Sequence, residues 1–126
     1  MMILGIGTDI VEVIRMKQAL ENFGDRFAAR ILTANEMGEY RTQHSPEAFL
    51  AKRFAVKEAA AKALGTGLAK GLSWQHIELG HDELGAPQLY FSGRALELQQ
   101  QRGIASLHVS LADEREYVVA FVILEK

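Results

Sequence analysis

The stretch Phe49-Leu50-Ala51-Lys52-Arg53-Phe54-Ala55-Val56-Lys57-Glu58-Ala59-Ala60-Ala61-Lys62-Ala63-Leu64-Gly65-Thr66-Gly67 decides how the chain is read. It is alanine-rich, which favours helix. Ser45-Pro46 ahead of it is a helix-start signal, and the glycines at its end are the usual stop. At about 100° per residue, Glu58 and Lys62 share one lane with Ala51 and Ala55. Arg53 and Lys57 fall about a third of a turn away. The rest of the circumference is apolar or alanine, so this helix expects burial on several sides. Charged side chains in such a setting require partners or a ligand.

The chain has 126 residues, enough for one domain with a real core, and is read as a single domain over 1–126. Its formal charge is −2, which argues against a general nucleic-acid binder and leaves any electrostatic recognition to local patches. It has no cysteine, hence no disulfide framework and no thiol chemistry. No apolar run reaches membrane-spanning length, and the first residues lack a signal-peptide pattern. The expectation is a cytoplasmic protein with no membrane partner.

Met2 to Ile10 reads as a strand interrupted by Gly5 and Gly7, which permit a bulge or a close backbone approach. Asp9 ends it. Its plain reading is a helix cap, with Thr8 or Asp9 capping a helix from Val11 and Glu12 completing a capping box. Val11 to Phe23 has helical apolar spacing, and Arg26 to Ile31 forms a second short helix or turn. Arg15, Arg26 and Arg30 give this region a small basic surplus, whose plain reading is a solvated surface. Thr33 and Glu36 read as a second capping box.

After the central helix, Gly65, Gly67 and Gly71 surround Thr66 and Lys70. This turn is either a flexible connection or a phosphate cradle. Trp74 to Leu79 reads as a strand, or a short turn leading into one, paired antiparallel with Gln88 to Phe91, and Arg94 to Arg102 reads as a helix closed by Gly103. Ser106 to Ala112 alternates as a strand. Tyr117 to Leu124 is apolar and β-branched, which suggests a central strand or a subunit interface, buried on both faces. The fold class is α+β, with about five strands and three or four helices.

Asp9 and Glu58 are carboxylates in apolar surroundings. If they meet, each raises the pKa of the other unless a cation lies between them. A hard dication with few protein ligands suits Mg²⁺, which keeps waters and takes phosphate oxygens. Arg53, Lys57, Lys62 and Lys70 would suit a polyphosphate. Spacing alone does not bring Asp9 to Glu58.

The string Gly5-Ile6-Gly7-Thr8-Asp9-Ile10-Val11 joined to Arg53–Gly67 resembles the small bacterial class of 4′-phosphopantetheinyl transferases, the holo-[acyl-carrier-protein] synthases. The likeness extends through Arg26–Leu32 and His108–Asp113 and spans essentially the whole chain. It implies a single-domain transferase fold, a mostly antiparallel sheet packed with helices, assembled as a homotrimer. It implies transfer of 4′-phosphopantetheine from coenzyme A to a serine of apo-acyl carrier protein in fatty acid biosynthesis, releasing 3′,5′-ADP.

The likeness further implies that Asp9 and Glu58 hold Mg²⁺ and that Lys62 stabilises the leaving group. The general base is Glu58 or a metal-bound water. Arg53, Lys62, Gly65, Thr66, Ser110 and His108 are implied coenzyme A contacts, Arg53 reaching from a neighbouring subunit. Lys57 is either part of the phosphate-facing set or a structural partner of a buried carboxylate. Arg15, Met16, Arg26, Phe27 and Arg30 match the family's docking face for the acidic carrier protein. Larger two-lobed relatives carry D-x-E on the first strand. Here Val11 stands two residues after Asp9, so two protein ligands are expected, and the cleft must form between subunits.

Overall fold

The computed structural model describes residues 2–126. Strand β1 (Ile3–Glu12) leads into helices α1 (Val13–Phe23), α2 (Asp25–Ile31) and α3 (Ala34–Tyr40), then the long α4 (Pro46–Leu64). A 3₁₀ turn at Trp74–His76 opens the β2 (Ile77–His81) and β3 (Pro87–Phe91) hairpin. Helix α5 (Gly93–Arg102) and strands β4 (Ser106–Asp113) and β5 (Tyr117–Glu125) complete the chain.

The chain ends share one antiparallel sheet in the order β1-β5-β4, and β2-β3 forms a second. Helix α4 lies across the three-stranded sheet as the hub of the core. Leu50, Ala51, Ala55, Val56, Ala59 and Ala60 are fully buried on it, and Val118, Ala120, Val122 and Leu124 of β5 meet it from the sheet. Pro46 occupies its first turn and Gly65 closes it at φ 83°. Alanine supplies helix propensity and lets the sheet approach closely. No helix among the described residues is long and apolar enough to cross a membrane.

Three readings of the sequence change. Thr8 and Asp9 do not cap a helix. Pairing with β5 carries β1 on to Glu12, and α1 begins at Val13 with no side-chain cap bond. The described helices are five, because α2 and α3 are each separately closed, along with a 3₁₀ turn. Strand β5 is central, as expected, but it is not buried on both faces. Its residues alternate, and the outer face leaves Phe121 45% exposed beside Ile6 at 56% and Ile10 at 62%.

The Thr33–Glu36 capping box is present. Glu36 does more than cap: it is fully buried and takes Lys57 Nζ at 2.7 Å and the Leu79 amide at 3.0 Å. One carboxylate therefore ties α3, α4 and β2 together.

Candidate active site

Glycine at positions 5 and 7 decides where Asp9 lies. Residues two apart share one face of a strand, so Gly5, Gly7 and Asp9 all face α4. A Cβ on Gly5 would stand 2.0 Å from the Ala63 carbonyl oxygen, and one on Gly7 1.8 Å from that of Ala59. Only glycine lets the strand backbone lie directly on the helix. Asp9 is the next residue on that face, at the rim of the contact.

There the Lys62 ammonium donates to Asp9 Oδ1 at 2.9 Å and to the Thr8 carbonyl at 2.9 Å. Lys62 is thus turned toward β1 rather than toward Glu58. Glu58, one helical turn earlier, is partly buried beside them. Burial pushes its carboxyl above the usual range, and the Asp9 charge adds to this. The Trp74 indole and the Lys62 ammonium act in the opposite sense. The chain folds, in other words, with two carboxylates and one ammonium converging at a solvent-exposed edge.

Among the described residues, no group of three or more His, Cys, Asp or Glu gathers as a metal cage. Asp9 and Glu58 together are a two-carboxylate donor set whose mutual repulsion a hard dication would relieve. Such an ion fills its remaining positions with water or phosphate oxygens.

The other expected contacts separate into distinct places. Gly65 and Gly67 both have positive φ, and the Thr66 hydroxyl donates to the Gly67 carbonyl at 2.9 Å. This turn lies at the C-terminal end of α4, one helical turn beyond Lys62. His108 and Ser110 lie across from Ile123 and Phe121 on the open face of the sheet, opposite the face that carries Asp9. His108 meets Glu125 at 3.2 Å there. Within one chain they do not join the cluster.

Arg53 does not reach outward as the sequence suggested. Its side chain is 5% exposed, stacks on Phe49 with the guanidinium carbon 3.7 Å from the ring centroid, and faces Glu39 at 3.5 Å and Glu36 at 3.9 Å. Desolvation lowers its pKa against those carboxylates. A cation so enclosed belongs to the interior. Lys57 likewise takes the structural alternative, fully buried on Glu36.

Of the expected docking residues, Met16 is also corrected. It is 7% exposed and packs in the core, because α1 turns that side of its apolar stripe inward. Arg15 is exposed and pairs with Glu12 at 3.2 Å. Arg26, Phe27 and Arg30 line a surface cavity of about 460 Å³ with Asn22 and Phe23. Phe23, the last residue of the apolar helical spacing, is 66% exposed rather than buried and stands 6.4 Å from the Phe27 ring.

Sequence reasoning also missed Trp74. Its indole faces Glu58 without meeting hydrogen-bond geometry, and its buried Nε1 has no other partner. No spacing rule links a residue in a 3₁₀ turn to a helix carboxylate.

The chain belongs to the 4′-phosphopantetheinyl transferase superfamily, whose family model matches residues 5–122. Within that class it is similar to the holo-[acyl-carrier-protein] synthase of Escherichia coli strain K12, at 54% identity over 125 residues, 99% of each chain. The crystal structure of the Neisseria meningitidis holo-[acyl-carrier-protein] synthase superposes with a TM-score of 0.92 at 46% identity, covering 99% of this chain and 100% of that one. A holo-(acyl-carrier-protein) synthase from Bacillus anthracis in complex with CoA (3′,5′-ADP) superposes at 0.82 with 38% identity, covering 99% and 98%.

Proposed function

We propose that the chain transfers the 4′-phosphopantetheine group of coenzyme A to a serine of apo-acyl carrier protein, giving holo-acyl carrier protein and 3′,5′-ADP. The observation that carries the reading is the convergence of Asp9, Glu58 and Lys62 where β1 lies on α4, in a chain of this family. In the reaction, the serine oxygen forms a bond to the phosphorus of the pantetheine-side phosphoryl group. The bond from that phosphorus to the bridging oxygen breaks, and 3′,5′-ADP leaves.

Glu58, beside Asp9 at the rim of α4, accepts the serine proton as general base. Lys62 turns from Asp9 toward the pyrophosphate and stabilises the charge that gathers on the leaving group. Asp9 and Glu58 are the residues that would hold Mg²⁺. Bound there, the ion would neutralise the pyrophosphate and orient it for in-line displacement.

The proposed assembly is a homotrimer that covers the open face of the three-stranded sheet. Two features support it. Ile6, Ile10 and Phe121 form an apolar patch on that face. His108 and Ser110, read as coenzyme A contacts together with Gly65 and Thr66, can approach an Asp9–Glu58 cluster only from another subunit. Arg15, Arg26, Phe27 and Arg30 are the proposed docking surface for the acidic carrier, in fatty acid biosynthesis in the cytoplasm. Arg53 and Met16 are left out of these sets because both are buried.

The test is incubation with apo-acyl carrier protein, coenzyme A and Mg²⁺, read by mass spectrometry. The carrier gains the phosphopantetheine mass with the native chain and not with Asp9→Ala or Glu58→Ala. A full gain with both variants would overturn the assignment of these carboxylates.

A further inference from the structure

We infer that Lys57 is a positioning residue: it locks the Trp74 turn against α4 so that the indole N–H faces the Glu58 carboxylate. The geometry begins with a fully buried lysine whose three donors are all used. Lys57 Nζ meets Glu36 Oε1 at 2.7 Å and donates to the Trp74 carbonyl at 3.0 Å and to the Ile77 carbonyl. Those two carbonyls bracket the 3₁₀ turn, so one ammonium fixes both its ends to the helix.

Burial lowers the Lys57 pKa and Glu36 opposes that shift, so the ammonium is held by its partners rather than by solvent. Glu36 is itself held by the Leu79 and Thr33 amides, each at 3.0 Å. The turn therefore has a rigid foundation on α3, α4 and β2.

The side chain of Trp74 is the output of this arrangement. Its ring stands 5.7 Å from that of Phe54, which lies one helical turn before Glu58 on α4. Its Nε1 is buried and has no hydrogen-bond partner, and its ring packs on the same side of α4 as Glu58, one helical turn away. A buried N–H left unsatisfied is costly, and aiming it at a carboxylate is the resolution on offer. Lys57 and Glu58 are adjacent in sequence and project from different sides of α4. The connection between them runs from the lysine through the Trp74 backbone and back through the indole. Groups that orient a reacting carboxylate in this way are commonly worth about 10- to 100-fold in activity.

Trp74 is the one tryptophan of the chain, so its emission reports the turn directly. The experiment compares the native chain with Lys57→Met, Glu36→Gln and Trp74→Phe. Lys57→Met should shift the folded protein's emission to the red and raise its quenching by acrylamide. Its kcat should fall about 10- to 100-fold while the coenzyme A KM moves less than about threefold.

Glu36→Gln keeps the size of the anchor and weakens its charge, so it should move both readouts in the same direction by less. It carries the test if Lys57→Met does not fold. Trp74→Phe keeps the turn's backbone and should lose kcat to a similar extent. Lys57→Met combined with Trp74→Phe should be no worse than the poorer single variant. Unchanged emission in a folded Lys57 or Glu36 variant overturns the proposal. So does a moved emission with unchanged kcat, or full additivity in the double variant. The kinetic arm rests on the transferase reading. If the native chain transfers nothing, that reading fails, and the emission arm alone still decides whether Lys57 holds the turn.

Discussion

Helix α4 carries two charged lanes that the fold treats in opposite ways. The inward lane, Arg53 and Lys57, is sealed. Its cations lie under Glu36 and Glu39, out of water. The outward lane, Glu58 and Lys62, opens at the rim with Asp9, and there the ion pair is partly solvated. A buried pair loses much when one partner is deleted, because the other is left charged in a low dielectric. An exposed pair loses little stability. Charges kept at a rim are thus free to change partners, and catalysis requires that freedom. The inner lane holds the frame, and the outer lane is available for chemistry.

The frame offers the strongest way to break this division. Gly7→Ala would force a Cβ to within 1.8 Å of the Ala59 carbonyl, so strand and helix must part. The expected loss is at least about 4–5 kcal/mol, at the severe end for a single substitution, and circular dichroism should show a chain that fails to fold. On the inner lane, Lys57→Ala leaves Glu36 buried without its ammonium. A loss of about 3–5 kcal/mol in urea unfolding is expected. A cost under about 1 kcal/mol would mean that the two lanes do not differ as argued.

Much of the frame was legible beforehand because its signals are local. Proline at the start and glycine at the end bounded α4, the Thr33–Glu36 spacing announced a cap, and the glycines of β1 flagged a close approach. What could not be read was which lane faces inward. On a helix apolar nearly all round, spacing separates Lys57 from Lys62 but does not rank their burial. The first strand misled for a related reason. Thr8-Asp9 followed by Glu12 has the form of a cap, but pairing with β5 some 110 residues away wins over it. The likeness to a family located Asp9 and Glu58. The reason they can meet, a strand resting on carbonyls of α4, is visible only in three dimensions.

The outer lane sharpens the comparison from the side of activity. Asp9→Ala and Glu58→Ala are each expected to lower transfer by about 10²–10³-fold, the scale of losing a group that stabilises developing charge. Their melting temperatures should stay near native, since neither lies deep in the core. Lys62→Ala should cost about 10- to 100-fold in kcat. Its loss also removes the ammonium from Asp9, so direct titration should show tighter Mn²⁺ binding than in the native chain. Farther from α4, Arg15→Glu should raise the KM for the carrier steeply at low salt and leave that for coenzyme A unchanged. Equal changes in both would remove Arg15 from the docking surface.

The smallest effect concerns Glu58 and stability. Its folded-state pKa lies above the unfolded value, chiefly through burial. The native state therefore holds that proton more tightly, and stability declines as pH rises through the folded pKa. Glu58→Gln deletes the titration. In metal-free protein, the variant should melt slightly later than the native chain once the pH has passed the raised folded-state pKa, and the difference should vanish below about pH 4. Mg²⁺ should reverse the order at neutral pH, because an ion that binds the folded native site stabilises it and one carboxylate of the variant's pair is gone. The same substitution should abolish transfer. A residue whose removal helps the fold and ends the reaction is held in place by function. If Glu58→Gln instead lowered the melting temperature at every pH, Glu58 would belong with Lys57 in the frame, and the two lanes of α4 would be one.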